Sequence, residues 1–342
     1  MKKNLFPLFL ALLVLSSCSK DEIANSSEKD AKVFTVSLGF SGEITSITSS
    51  PLNASAPSVT LRSANATTVD LYGIQVYATP TSGGSETPYA YGLFDNLDSM
   101  KIKLMDGYKY RFECGMVPDG KNVLSGGYGN SFNAPFRTSN DNGSATEYTL
   151  STFKYSNSKS MTGLNSGHVF NGTASLSWAR PGMDRYYGTY SDYVPNEGGS
   201  VSINMKRMVF GVTVVAEGLT NGKLQIQISG APQMEFAAPT TSSSNNIFTF
   251  ANVGSPFASG TTDDYFEDIP VTFTWVKSDG VPVPIATNQT IRFTRNKLTT
   301  ITVKIQDNNL NNGIGIILEN TNMVTGDSIN ITGGTGTDTP IN

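Results

Sequence analysis

From Tyr108 to Met116 the chain alternates strictly. Tyr108, Tyr110, Phe112, Cys114 and Met116 fall on one side, and Lys109, Arg111 and Glu113 on the other. A strand sends successive side chains to opposite faces, so this run is suited to burying one face of a sheet and not one flank of a helix. The same period runs through Val33 to Phe40, where Phe34, Val36, Leu38 and Phe40 share one face and Thr35, Ser37 and Gly39 the other. No window sustains apolar spacing at the helical period. Only 15% of the 342 residues are charged, and Ser, Thr, Asn, Gly and Tyr are plentiful. The fold class predicted is all-β, with polar loops. Cys114 reads as a small buried apolar residue.

Further strands are predicted at Leu71 to Tyr77, Met100 to Leu104, Val201 to Met205, Met208 to Val215, Leu224 to Ile228, Ile247 to Phe250, Val271 to Val276, Ile291 to Phe293, Leu298 to Ile305 and Ile314 to Leu318. Between Ser49 and Ala66 the chain is rich in Ser, Pro, Asn and Ala, and reads as a long exposed loop. The run Pro195-Asn196-Glu197-Gly198-Gly199 reads as a linker, because Pro and Gly end strands. It divides the chain into an N-terminal domain over 31–197 and a C-terminal domain over 198–342, each large enough to bury a core.

The N-terminus sets the compartment. Lys2 and Lys3 precede an apolar run from Leu5 to Leu15, too short for the roughly 20 residues that a bilayer requires, so residues 1–17 read as an export signal. Leu15-Ser16-Ser17-Cys18 resembles the lipobox of bacterial lipoproteins, which makes Cys18 the lipidated first residue of the mature protein. Residues 18–30 are polar and aperiodic, a flexible tether. The flank Ser19-Lys20-Asp21-Glu22 resembles the signal that sends lipoproteins of gut and oral anaerobes to the outer face of the outer membrane.

Material for catalysis is scarce. The one histidine, His168, stands in Asn165-Ser166-Gly167-His168 with no cysteine or carboxylate at ligand spacing. With Cys18 assigned to lipid, Cys114 has no partner for a disulfide within the chain. A balance of 24 basic against 28 acidic residues favours neither nucleic acid nor anionic lipid. Asp263, Asp264, Glu267 and Asp268 lie close together, either as a solvated acidic loop or as oxygen ligands for Ca2+, though without the alternating spacing of known loops. Tyr186, Tyr187, Tyr190 and Tyr193 with Trp178 form either an aromatic platform for sugar rings or a hairpin packed on its own sheet. Asp98-Ser99-Met100 and Asp327-Ser328-Ile329 resemble the O-glycosylation acceptor of the same anaerobes. No enzyme, no metal and no organic cofactor is expected.

Two stretches carry a family resemblance. Asn204 to Val214, with Lys206-Arg207 entering an apolar strand, resembles the strand that opens the C-terminal domain of fimbrillins. Ile291 to Val303, with Arg295-Asn296 before a Thr-rich strand, is similar to their late Arg-Asn turn, and Asp106-Gly107-Tyr108-Lys109-Tyr110-Arg111-Phe112 agrees in the first domain. The resemblance implies two tandem transthyretin-like β-sandwich domains in a lipoprotein of the cell outer membrane. It implies assembly into a fimbrium (pilus) used for cell adhesion, with other fimbrial subunits, self or heterologous, as partners. In shaft subunits a protease cuts after an Arg and removes the first strand, and a neighbour's strand fills the gap; anchor subunits keep their lipid. Here Arg62, followed by Ser63, matches the cut site by context. Phe34, Val36, Leu38 and Phe40 then mark the exchangeable strand, and Ile314, Ile316 and Leu318 the donor strand. The alternative function is a surface lipoprotein that binds glycans for capture.

Overall fold

The computed structural model describes residues 32–46, 70–118, 120–123, 135–138, 150–165, 167, 169–170, 177–243, 246–252, 254, 264–305, 316–322 and 331–332. The described chain opens with β1 (Val33–Gly42), which passes into a single helical turn, α1 (Glu43–Ser46). Next come β2 (Leu71–Pro80), β3 (Thr87–Phe94), β4 (Lys101–Met105) and β5 (Tyr108–Val117). Short strands β6 (Arg137–Thr138), β7 (Thr152–Tyr155), β8 (Met161–Thr162), β9 (Val169–Phe170) and β10 (Ser177–Trp178) lead to β11 (Tyr186–Tyr193) and β12 (Ser200–Arg207). The rest comprises β13 (Val209–Glu217), β14 (Lys223–Ile228), β15 (Met234–Ala237), β16 (Asn246–Thr249), β17 (Phe266–Val276), β18 (Pro282–Thr294), β19 (Lys297–Lys304), β20 (Ile316–Asn322) and β21 (Ile331–Thr332). The protein is all-β, as its alternation predicts.

Eight strands form one sheet in the order β4-β1-β12-β11-β5-β2-β3-β7. It folds over on itself at β11, which pairs with β12 only at Tyr186↔Arg207 and Tyr187↔Lys206 but with β5 from Tyr186↔Met116 to Tyr193↔Tyr110. One layer contributes Phe34, Val36, Leu38, Ile102, Leu104, Val201, Ile203 and Met205 to the core, and the other Tyr72, Ile74, Val76, Phe94, Tyr110, Phe112, Cys114 and Met116. Tyrosine hydroxyls from the far side seal the open edge of β4. Tyr89 donates to the Lys103 carbonyl at 2.8 Å, and the Lys103 N–H donates to the Tyr155 hydroxyl at 3.0 Å. The Tyr110 hydroxyl accepts from the Met105 N–H at 2.9 Å and donates to the Met105 carbonyl at 3.1 Å. At Lys103 and Met105 the backbone groups of an edge that invites another strand are thus occupied.

The outer face of β2, β3 and β5 is also covered. Phe136, Met161 and Leu164 pack there, close enough that a Cβ on Gly73 would lie 2.8 Å from the Met161 sulfur, and one on Gly115 2.8 Å from the Phe136 ring. The covering segments are tied down by the buried guanidinium of Arg185, which donates to the carbonyls of Gly163 and Pro135, each at 2.9 Å. Burial pulls the pKa of Arg185 down to about 10. Both faces of β5 are therefore buried towards its end. Glu113, expected to face outward, is 6% exposed and accepts from the Tyr187 hydroxyl at 2.9 Å.

Beyond Met208 the strands form a five-stranded sheet, β16-β13-β19-β20-β21, and a four-stranded sheet, β15-β14-β17-β18. Val212, Val214, Ile301 and Val303 of the first share a buried cluster with Leu224, Ile226, Val271, Phe273, Ile291 and Phe293 of the second. The strand read as opening the C-terminal domain is placed differently. β12 belongs to the eight-stranded sheet, in parallel register with β1 from Ser37↔Ser200 to Gly42↔Met205. The Pro195–Gly199 run, read as a linker, is the turn between β11 and β12, closed by the Gly199 N–H donating to the Asn196 carbonyl at 3.2 Å. Proline and glycine end strands inside a sheet as readily as between domains, and the run does not distinguish the two.

Candidate functional site

The N-terminal strand is an internal member of its sheet. β1 pairs antiparallel with β4 from Val33↔Met105 to Ser37↔Lys101 and parallel with β12 on its other side. Phe34, Val36 and Leu38 are buried as the alternation predicts. Phe40 is half-buried, its ring stacked on Tyr72 with centroids 5.2 Å apart. Burying the first three is worth about 1.5–3 kcal/mol each, a substantial part of the roughly 5–15 kcal/mol that holds a domain together. Beneath β1 lies a slot of apolar side chains, and each flank of the slot offers a row of backbone partners.

One end of the slot is a charged corner. The chain leaves β1 at Gly42, whose φ of +82° lies in the left-handed region. Glu43 then turns inward. Its two oxygens accept from Arg295 Nη1 at 3.0 and 2.8 Å, and Oε2 also accepts from the Arg207 backbone N–H at 2.7 Å. Arg295 Nη1 donates to the Arg207 carbonyl at 3.0 Å as well. The Arg207 guanidinium binds Asp184 through Nε at 2.9 Å and Nη2 at 2.8 Å, and Asn296 Oδ1 through Nη1 at 3.3 Å. Arg295 is 3% exposed and Arg207 9%. Burial works against the charge of Arg207, but the Asp184 carboxylate, the Tyr186 hydroxyl and Glu43 outweigh it and hold its pKa above the ordinary arginine value.

Arg295 and Asn296 reach the corner from the turn between β18 and β19, where the Asn296 N–H donates to the Val209 carbonyl at 2.7 Å. Glu43 thus joins the end of β1 to residues 164 and 252 positions further on. Lys206-Arg207 and Arg295-Asn296 stand out in the sequence as motifs; that they share Glu43 does not, because nothing in a local pattern reports pairing at that range.

Cys18, Arg62, Ser63, Ile314, His168, Asp263 and the Asp327-Ser328-Ile329 tripeptide lie outside the described residues. Ile316 and Leu318 are on β20, paired with Val303 and Ile301 of β19. Ser99 sits in a 3-10 turn, its hydroxyl donating to the Asn96 carbonyl at 2.7 Å.

The tyrosines of β11 do not make a platform. Tyr186, Tyr187 and Tyr193 are buried, and only Tyr190 is exposed, at 40%. The period of the strand and the fold at β11 send their rings into packed layers. Two members of the acidic run are held by arginines. Glu267 binds Arg180 at 2.6 Å and accepts from the Tyr265 hydroxyl at 2.8 Å, while Asp268 binds Arg292 at 2.9 and 3.0 Å.

No family model matches the chain, and no curated protein does. It is similar to solved fimbrial proteins. The fimbrial anchor protein Mfa2 from Porphyromonas gingivalis is 10% identical, over 88% of this chain and 99% of that one, at a TM-score of 0.38. The tip fimbrial protein Mfa3 from the same organism is 12% identical, over 73% and 92%, at 0.30. A fimbrial assembly protein from Parabacteroides distasonis is 9% identical, over 88% and 99%, at 0.31.

Proposed function

We propose that this chain is a surface lipoprotein of the cell outer membrane that acts as a fimbrial subunit or anchor, joins its neighbours by strand exchange and serves adhesion. The observation that carries the reading is the placement of β1. The first strand among the described residues fills an internal slot, contributes three buried side chains and is followed, across residues 47–69, by the segment that holds Arg62. Cleavage after Arg62 separates β1 from the remainder of the chain covalently; loss of β1 exposes apolar surface and two rows of backbone groups, which a strand from another subunit fills by β-augmentation. Supporting this, tyrosines occupy the backbone of the β4 edge at Lys103 and Met105, beside β1, so a strand arriving on that side of the sheet is received in the β1 slot and not at the edge.

In this reading residues 1–17 are the leader, Cys18 carries the lipid, and residues 18–30 form the tether. Two successive β-sandwiches follow, the first completed by β12. Glycan capture is not favoured, because three of the four tyrosines it relied on are core residues. The reading involves no catalysis. Limited digestion with an Arg-specific protease tests it. Carried out together with the other fimbrial subunits of the same cell surface, cleavage after Arg62 followed by SDS-resistant complexes is the expected result. A protein cut at Arg62 that stays folded and joins neither a copy of itself nor any of those subunits rules the reading out.

A further inference from the structure

Loss of β1 removes more than apolar surface, because Glu43 leaves on the same segment. The corner it vacates is a carboxylate site built by the rest of the chain. Arg295 Nη1 stands 2.8 and 3.0 Å from the two oxygens, and the Arg207 N–H 2.7 Å from one of them. Access to that corner is demanding. A Cβ on Gly42 would collide with the Asn204 side chain and lie 2.7 Å from the Met205 carbonyl oxygen, at a backbone φ of +82°. The residue before the carboxylate has to be glycine.

We infer that this corner selects the strand that fills the β1 slot. The occupant is a strand of another fimbrial subunit in which alternating apolar residues are followed by Gly-Glu or Gly-Asp at the places of Gly42 and Glu43. This rests on the strand-exchange reading above and adds the chemistry of the partner. Direction is fixed too: the occupant runs parallel to β12 and antiparallel to β4, so that its C-terminal end meets Arg295. The chain's own C-terminal segment does not satisfy the rule. With Ile314, Ile316 and Leu318 laid over Val36, Leu38 and Phe40, Asn320 falls on Gly42 and Thr321 on Glu43, while Glu319 falls on Ser41. The C-terminal segment of a second copy is therefore a poor donor, and a strand of a different subunit that carries the Gly-Glu or Gly-Asp pair takes its place.

The test uses the full chain cleaved after Arg62, or at a specific protease site inserted there, and incubated with excess labelled peptides. These are residues 33–46, the same peptide with Glu43→Gln, residues 311–324, and that peptide with Asn320→Gly and Thr321→Glu. Retention on the folded protein is read by gel filtration. The 33–46 peptide is expected to enter, Glu43→Gln to lower its retention at least tenfold, and the paired substitution to raise that of 311–324 at least tenfold. Equal retention of 33–46 and its Glu43→Gln form overturns the selection rule and leaves strand exchange standing. If no peptide enters, 33–46 included, strand exchange fails and the rule with it.

Discussion

At the scale of single residues, the tyrosines that close the sandwich make it sensitive to alkali. Burial pushes the Tyr110 hydroxyl up to about 12, and it raises Tyr89 as well, with Tyr110 and Tyr155 beside it adding to the shift. A phenol whose folded pKa is raised holds its proton more tightly in the native state. Its contribution is complete below the unfolded value of 10.0 and is lost as pH climbs from there towards about 12. Denaturant midpoints measured across that range are expected to fall steeply, with tyrosinate absorbance rising together with unfolding, and the fall is shallower for Tyr110→Phe. At neutral pH Tyr110→Phe costs about 1 kcal/mol, from its two bonds to the Met105 backbone. A midpoint that stays flat to pH 12 contradicts this account. Gly73→Ala acts through crowding alone: its Cβ meets the Met161 sulfur and Phe136, and a loss of about 1–3 kcal/mol is expected in urea unfolding. Cys114, buried on its strand, is legible in the sequence because the alternation decides it. Glu113 is not. Its burial depends on Phe136, Met161 and Leu164 covering the outer face, and those residues sit in short segments with no period of their own.

At the scale of elements, strands with strict alternation are visible in the sequence, and those buried on both faces are less so. β1, β5, β12 and β14 show the period directly. β3 does not, because Pro88 and Gly92 interrupt it, and Gly92 is required where a Cβ would meet the Phe94 ring. That β12 pairs with β1 in parallel was beyond the sequence, since the register is set by contacts between distant segments and not by composition. The energetic role of β1 is testable inside the intact chain. Leu38→Ala removes a buried side chain from the slot and is expected to cost about 2–5 kcal/mol. Thr35→Ala, on the exposed face of the same strand, stays within about 0.5 kcal/mol. Equal effects in thermal unfolding show that β1 is not a packed member of the sandwich.

At the scale of the whole molecule, the proposed function makes the order of features along the chain a coupling of anchoring to assembly. Cys18, the strand Phe34 to Phe40, the carboxylate Glu43 and the proposed cut site Arg62 follow one another, so in that reading a single cleavage after Arg62 detaches the lipid, the strand and the carboxylate together. Two or more acyl chains hold a protein on a membrane far more firmly than one. A copy that keeps its lipid therefore keeps β1 in its slot and cannot accept a strand there. A copy that has lost β1 has lost its own hold on the membrane. In the proposed reading, each copy is either an anchor with a filled slot or a subunit with an open one. Surface protein washed with carbonate should accordingly begin at Cys18 with the mass of its acyl chains, while copies recovered from sheared fimbriae should begin at Ser63. Cys18→Ser should shift the first population to the soluble or unprocessed fraction without changing the thermal midpoint, because Cys18 precedes the first strand. Intact mass and N-terminal sequencing of the two fractions check this directly. Recovery of chains beginning at Ser63 among the carbonate-resistant membrane proteins, without a partner subunit attached, breaks the coupling.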